Sequence, residues 1–211
     1  MIYELRTYTF HPGKLPAYLD LARTVGRPVR GNDYGTNHGY WTSEFGTLNQ
    51  IWHLWSYESH SERDRLRGEL AKNERWAKEY VPNIRPLLMR QDIRFLDLVS
   101  GINPPEQPGG IYELRMYRTQ VGAAKQWAQL IKSVFPVREK YSKNVGLWTG
   151  EAPQPNEALH LWNYKDVNTR LQIRAEVGKD PGWQEFLVKS TPMLVEMQSV
   201  LLLATDYSPM R

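Results

Sequence analysis

Residues 2–8 read I-Y-E-L-R-T-Y, and residues 111–117 read I-Y-E-L-R-M-Y, identical at six of seven positions. The echo continues in order along the chain. Gly39-Tyr40-Trp41-Thr42 returns as Gly146-Leu147-Trp148-Thr149, and His53-Leu54-Trp55-Ser56-Tyr57 returns as His160-Leu161-Trp162-Asn163-Tyr164. Trp76 returns as Trp183. A period this long is a duplicated domain rather than a solenoid repeat. It divides the chain into a first unit over 1–100, a linker over 101–110 and a second unit over 111–211. The linker carries Pro104, Pro105 and Pro108, which makes it a short, stiff spacer.

Within the first copy, Ile2 to Phe10 alternates and is rich in aromatic and β-branched residues, which predicts a strand. His11-Pro12-Gly13 stops it. Leu15, Tyr18, Leu19, Ala22 and Val25 fall on one face of a helix running to about Arg30, with Pro16 tolerated in the first turn. Gly35 to His38 reads as a loop and Gly39 to Phe45 as a second strand. Gly46 to Asn49 is a turn, since Gly and Asn accept positive φ. Gln50 to Tyr57 is a third strand. Ser59, with Glu62 three residues on, has the spacing of a capping box and opens a helix to about Lys72. Asn73 to Tyr80 continues as helix, and Leu87 to Val99 is the fourth strand. The order is β-α-β-β-α-β, an α+β unit of the ferredoxin-like kind with an antiparallel sheet. The second copy repeats it.

The 211 residues are 41% apolar and 24% charged, the balance of a chain that folds. Net charge is +4, with Lys and Arg scattered rather than in a run, so no nucleic-acid tail is expected. The third strand also lacks the aromatic signature of an RNA-recognition module, and no nucleic-acid partner is expected. There is no cysteine, which removes thiol chemistry and cysteine metal ligands. The five histidines form no H-x-H or H-E-x-x-H pair, so no metal is expected. The absence of G-x-G-x-x-G, Walker, C-x-x-C-H and G-x-S-x-G patterns leads to an expectation of no cofactor. No apolar run is long enough for a membrane span. Strand pattern from residue 2 leaves no room for a targeting segment, and the expected location is cytoplasmic.

These motifs resemble the NIPSNAP family: Y-E-L-R-x-Y in the first strand, G-Y-W-T-S-E-F-G-x-L-N at the hairpin, and H-L-W-S-Y followed by an Arg-rich helix and a Trp. The second copy departs at the hairpin, where E-A-P-Q-P-N replaces E-F-G-T-L-N. The resemblance implies two ferredoxin-like units packed as a dimeric α/β barrel within one chain. It implies no common reaction. Other groups with that barrel include cofactor-independent monooxygenases, haem-binding enzymes and isomerases.

Period two sorts the strand side chains. Tyr3, Leu5 and Thr7 share a face with Trp52, Leu54 and Ser56. This is the more apolar face and is expected under the helices. Glu4, Arg6 and Tyr8 share the other with His53, Trp55 and Tyr57, expected where the two sheets meet. The second copy places Glu113, Arg115, Tyr117, His160, Trp162 and Tyr164 in the same way. Arg6, His53, Tyr57, Arg115, His160 and Tyr164 are the candidates for chemistry. Glu4, Tyr8, Trp55, Glu113, Tyr117 and Trp162 are candidates for ligand contact. An equally simple reading has Glu4–Arg6 and Glu113–Arg115 as buried ion pairs and the rings as filler. Trp41 and Trp148 are expected in the core. The Arg-rich segments Ser59 to Lys72 and Asp166 to Lys179 are expected to be solvated faces with pairs such as Glu62–Arg65.

Three functions fit these residues. One is a protein that binds a small apolar or carbonyl-bearing molecule in an aromatic-lined barrel or helix–sheet cavity. Another is a scaffold for protein interaction. The third is a monooxygenase- or isomerase-like enzyme. A homo-oligomer is compatible with all three.

Overall fold

The computed structural model describes residues 1–105 and 109–211; Pro108, one of the three linker prolines, lies outside the described residues. The elements run β1 (Ile2–Phe10), α1 (Leu15–Leu21), a π turn (Ala22–Gly26), α2 (Arg27–Arg30), β2 (Thr36–Phe45), β3 (Gln50–Tyr57) and α3 (His60–Lys72). A second π turn (Trp76–Tyr80), α4 (Val81–Ile84), a 3-10 turn (Arg85–Leu87) and β4 (Leu88–Ser100) complete the first copy. The second copy has β5 (Ile111–Thr119), α5 (Ala124–Ser133), α6 (Phe135–Arg138), β6 (Asn144–Ala152) and β7 (Glu157–Tyr164). It ends with α7 (Val167–Val177), α8 (Pro181–Ser190), a 3-10 turn (Thr191–Met193) and β8 (Leu194–Ala204). This is an α+β fold with antiparallel strand pairing.

The chain forms two compact units, residues 1–43, 47–93 and 204–211 in the first, and residues 44–46 and 94–203 in the second. In the first, β3 lies between β1 and β2, with Glu4 opposite Trp55, Arg6 opposite His53 and Tyr40 opposite His53. The last residues of the chain belong here: Thr205 N–H donates to Tyr40 O, and Tyr40 N–H donates to Ser208 Oγ at 2.9 Å. In the second, the strand order is β8-β5-β7-β6-β4, with Glu113 opposite Trp162 and Arg115 opposite His160. Residues 95–100 of β4 supply the strand beside β6.

Local chemistry explains the element ends. Ser59 Oγ accepts from Glu62 N–H and caps α3, while the Glu62 carboxylate reaches back to Glu58 N–H. Asp166 caps α7 through Thr169 N–H, and Asp180 caps α8 through Gly182 and Trp183 N–H. The Gly46–Asn49 turn has positive φ at both named ends. The stretch read as a loop at Gly35–His38 is mostly strand: β2 begins at Thr36 and bulges between Asn37 and Gly39. The Asn37 amide stabilises the bulge by donating to Leu54 O at 3.1 Å. A Cβ on Gly39 would meet the Trp41 ring at 2.1 Å, and one on Gly146 would meet Trp148 at 2.2 Å. That close approach is why the repeated motif is G-x-W. Both tryptophans are buried, as expected.

The face assignment is corrected. Tyr8, Trp55 and Tyr57 pack with Tyr18, Ala22, Tyr80 and Ile84, so the Glu4–Arg6–Tyr8 face lies under the helices. Tyr117, Trp162 and Tyr164 pack in the same way with Trp127, Ala128, Ile131 and Phe186. Tyr3, Leu5, Trp52 and Leu54 are buried on the opposite face. The helices bring their own cations, so the more polar strand face satisfies its charges beneath them.

Candidate functional site

Each copy builds the same polar chain on the helix-covered face. Arg6 donates to Glu4 and, through Nε, to Tyr8 Oη at 2.7 Å. Arg115 donates to Glu113 Oε1 at 2.7 Å and to Tyr117 Oη. The ion pairs expected from the Glu-x-Arg spacing are therefore formed and buried. The Arg-rich helices, expected to be solvated faces, also send arginines into these pairs. Arg63 of α3 donates to Glu4, and Arg170 of α7 donates to Glu113 Oε1 at 2.6 Å, joined there by Ser199 Oγ of β8 at 2.7 Å. Arg65 keeps the expected exposed pairing with Glu62. Burial pushes the Glu113 carboxyl up, but Arg170, Arg115 and Ser199 outweigh it and hold it at about 2. Glu4 is likewise lowered, by Arg6 and Arg63 against the effect of burial.

The histidines are fixed by their neighbours. Trp55 Nε1–H donates to His53 Nδ1 at 2.7 Å, and Trp162 Nε1–H donates to His160 Nδ1 at 2.6 Å. An indole nitrogen only donates, so each Nδ1 accepts and the neutral ring carries its proton on Nε2. Burial, with Arg6 beside His53 and Arg115 beside His160, holds both imidazoles well below their ordinary pKa. Each Nε2–H is buried with no hydrogen-bond partner among the described residues. In this tautomer His53 and His160 each present a neutral N–H donor.

The two copies differ in the space around that imidazole. In the first, Tyr40 stacks on His53 with centroids 4.8 Å apart and planes at 12°, and Tyr207 packs against Tyr40. In the second, Leu147 stands where the first has Tyr40, and a cavity of about 250 Å³ opens between sheet and helices. Trp127, Ile131, Trp183, Phe186 and Leu194 supply apolar wall, and Arg115, Arg138, Arg174 and His160 supply polar wall. Of the sequence candidates, Arg115, Tyr117, His160 and Trp162 meet at this cavity. Glu113 and Tyr164 stand behind it, bonded to Arg115 and Arg138. Glu4, Arg6, Tyr8, His53, Trp55 and Tyr57 form the corresponding face of the first copy.

Arg138 is the residue that motif reading missed. It is buried at 3% exposure, yet among the described residues its guanidinium bonds only hydroxyls, Ser142 Oγ at 2.7 Å and Tyr164 Oη at 3.0 Å. Its Cζ lies 4.2 Å from the Trp162 ring centroid. Burial and the nearby Arg174 lower its pKa, against the pull of Tyr164. The signal was present: Pro28-Val29-Arg30 returns as Pro136-Val137-Arg138, and Arg67 returns as Arg174. Arg30 repeats the geometry, donating to Tyr57 Oη at 2.7 Å with Cζ 3.3 Å from the Trp55 ring centroid. No cluster of three or more His, Asp or Glu suited to a metal occurs among the described residues. None of their helices is long and apolar enough to cross a membrane.

The NIPSNAP family model matches residues 3–101 and again 112–209. NipSnap homolog 3A of Homo sapiens is 28% identical, covering 100% of this chain and 86% of its own length. The NipSnap homolog of Dictyostelium discoideum is 29% identical, covering 94% and 85%. Among solved structures, a candidate monooxygenase from Lactobacillus acidophilus is similar at a TM-score of 0.68 and 14% identity, covering 98% of this chain and 97% of that one. An anthrone oxidase-like protein is similar at a TM-score of 0.66 and 7% identity, covering 97% and 91%. At such identities the likeness is one of fold alone.

Proposed function

Because this chain belongs to the NIPSNAP family, a family whose matched relatives carry no activity in their names, we propose its function from the site itself: it binds a small apolar, carbonyl-bearing molecule in the helix–sheet cavity of its second copy. The observation that carries this reading is a cavity with a largely apolar wall that includes His160, whose Nε2–H is buried with no hydrogen-bond partner among the described residues. A buried donor without a partner costs about 1–3 kcal/mol, and a ligand carbonyl oxygen removes that cost. Apolar walls with a few placed polar groups are the usual make-up of a ligand pocket.

The architecture proposed with it is two ferredoxin-like copies, 1–100 and 111–211, whose strands close one barrel. The whole-chain likeness to the Lactobacillus protein supports that arrangement. The same likeness does not transfer oxidation, because function resides in the site rather than the fold.

Native mass spectrometry of the purified chain tests the reading. The expected result is a small-molecule adduct that is lost when Leu187, which is partly exposed and lines the cavity, is replaced by Trp. An adduct unaffected by Leu187→Trp places the molecule elsewhere and overturns it. So does a chain that carries no adduct and shows no thermal shift with any member of a small-molecule library.

A further inference from the structure

The same cavity specifies its occupant more narrowly, and this narrower assignment rests on the binding reading above. We propose that the second-copy cavity selects a carboxylate carried on one flat apolar ring, with Arg138 as the counter-ion and His160 Nε2–H as a neutral donor.

The charge balance of the wall points there first. Arg115, Arg138 and Arg174 line the cavity, and among the described residues no Asp or Glu does. Arg115 has Glu113, but that one carboxylate is shared with Arg170, so the group stays net positive. Arg138 has no carboxylate within salt-bridge distance among the described residues, and it is almost wholly buried. A buried cation is costly without an anion, and a planar guanidinium matches a carboxylate better than it matches two hydroxyls.

The neutral donors point the same way. His160 Nε2 and Trp127 Nε1 are buried without hydrogen-bond partners among the described residues, and both residues line the cavity. The Trp162 N–H occupies His160 Nδ1, so the imidazole offers the site only its N–H. Such a wall asks for an acceptor.

Size and shape set the rest. A volume of about 250 Å³ is ample for a single ring, since an apolar cavity of about 150 Å³ already holds benzene. Trp127, Trp183 and Phe186 present aromatic surface to it. Arg174 lines the cavity and is exposed to solvent.

The experiment titrates the full chain with benzoate, its uncharged isostere benzamide, and inorganic phosphate, read by tryptophan fluorescence and calorimetry. Benzoate is expected to bind at least about tenfold more tightly than benzamide. Arg138→Gln is expected to erase that preference by weakening benzoate alone, and Arg138→Lys to restore part of it. The wild-type comparison needs no variant to fold. Benzamide binding as tightly as benzoate, or phosphate binding more tightly, overturns the carboxylate assignment. If Leu187→Trp blocks that binding, the cavity reading survives. Failure of all three probes in the millimolar range overturns the assignment as well. The cavity reading falls with it only if native mass spectrometry also finds no adduct.

Discussion

Replacing Glu113 with Gln tests whether the buried carboxylate is held by the network around it. Its oxygen Oε1 takes hydrogen bonds from Arg115, Arg170 and Ser199, contributed by β5, α7 and β8, and its side chain is fully buried. The folded-state pKa is depressed from 4.5 to about 2. At about 1.4 kcal/mol per pKa unit, the network contributes roughly 3 kcal/mol at neutral pH. The figure agrees with the roughly 3–5 kcal/mol expected when one partner of a buried pair is removed. Because the folded pKa is lowered, the contribution is fully present above the unfolded value of 4.5 and is lost as pH falls through about 2. Urea denaturation of wild type and Glu113→Gln should therefore show a gap of about 3 kcal/mol at neutral pH that narrows steadily below pH 4.5. A gap under about 1 kcal/mol at neutral pH, or one that does not change with acid, would refute the reasoning.

In the first copy, Arg6→Met alone should cost about 3–5 kcal/mol by stranding the Glu4 carboxylate, whereas Arg6→Met with Glu4→Leu should cost much less; simple additivity of small losses would count against a buried pair. Trp41→Ala or Trp148→Ala should each cost about 3–5 kcal/mol in chemical denaturation, and a loss below about 1 kcal/mol would mean the ring is not core. In nitrogen-detected imidazole spectra, His53 and His160 should still be neutral and protonated on Nε2 at pH 6.5, where an ordinary imidazole is half charged, and a charged signal there would overturn the assigned tautomer. Cleaving the chain at Pro104 should leave fragments that co-purify, since residues 95–100 pair with β6 and residues 204–211 pack with the first copy's strands; two independent folded monomers would contradict this.

Much of this molecule is legible in its residues. The two copies of Y-E-L-R-x-Y, G-x-W-T and H-L-W-x-Y placed three strands per copy, and alternation put Glu, Arg, Tyr, His and Trp on one face because successive side chains must point oppositely. The Glu-x-Arg spacing led to the ion pairs, which need only a shared face and loss of water. Which way that face points was not legible, because strand polarity says which side chains keep company and not what covers them. Arg63 and Arg170 settled that by arriving from helices far along the chain. The donor role of His160 is likewise a tertiary fact: it depends on a 2.6 Å bond from Trp162, two residues away, whose geometry the composition does not contain. The difference between the copies is the clearest case. A tyrosine against a leucine, Tyr40 against Leu147, reads as an ordinary substitution in sequence. Only packing reveals that the first ring covers an imidazole, while a cavity stands beside the imidazole of the second copy.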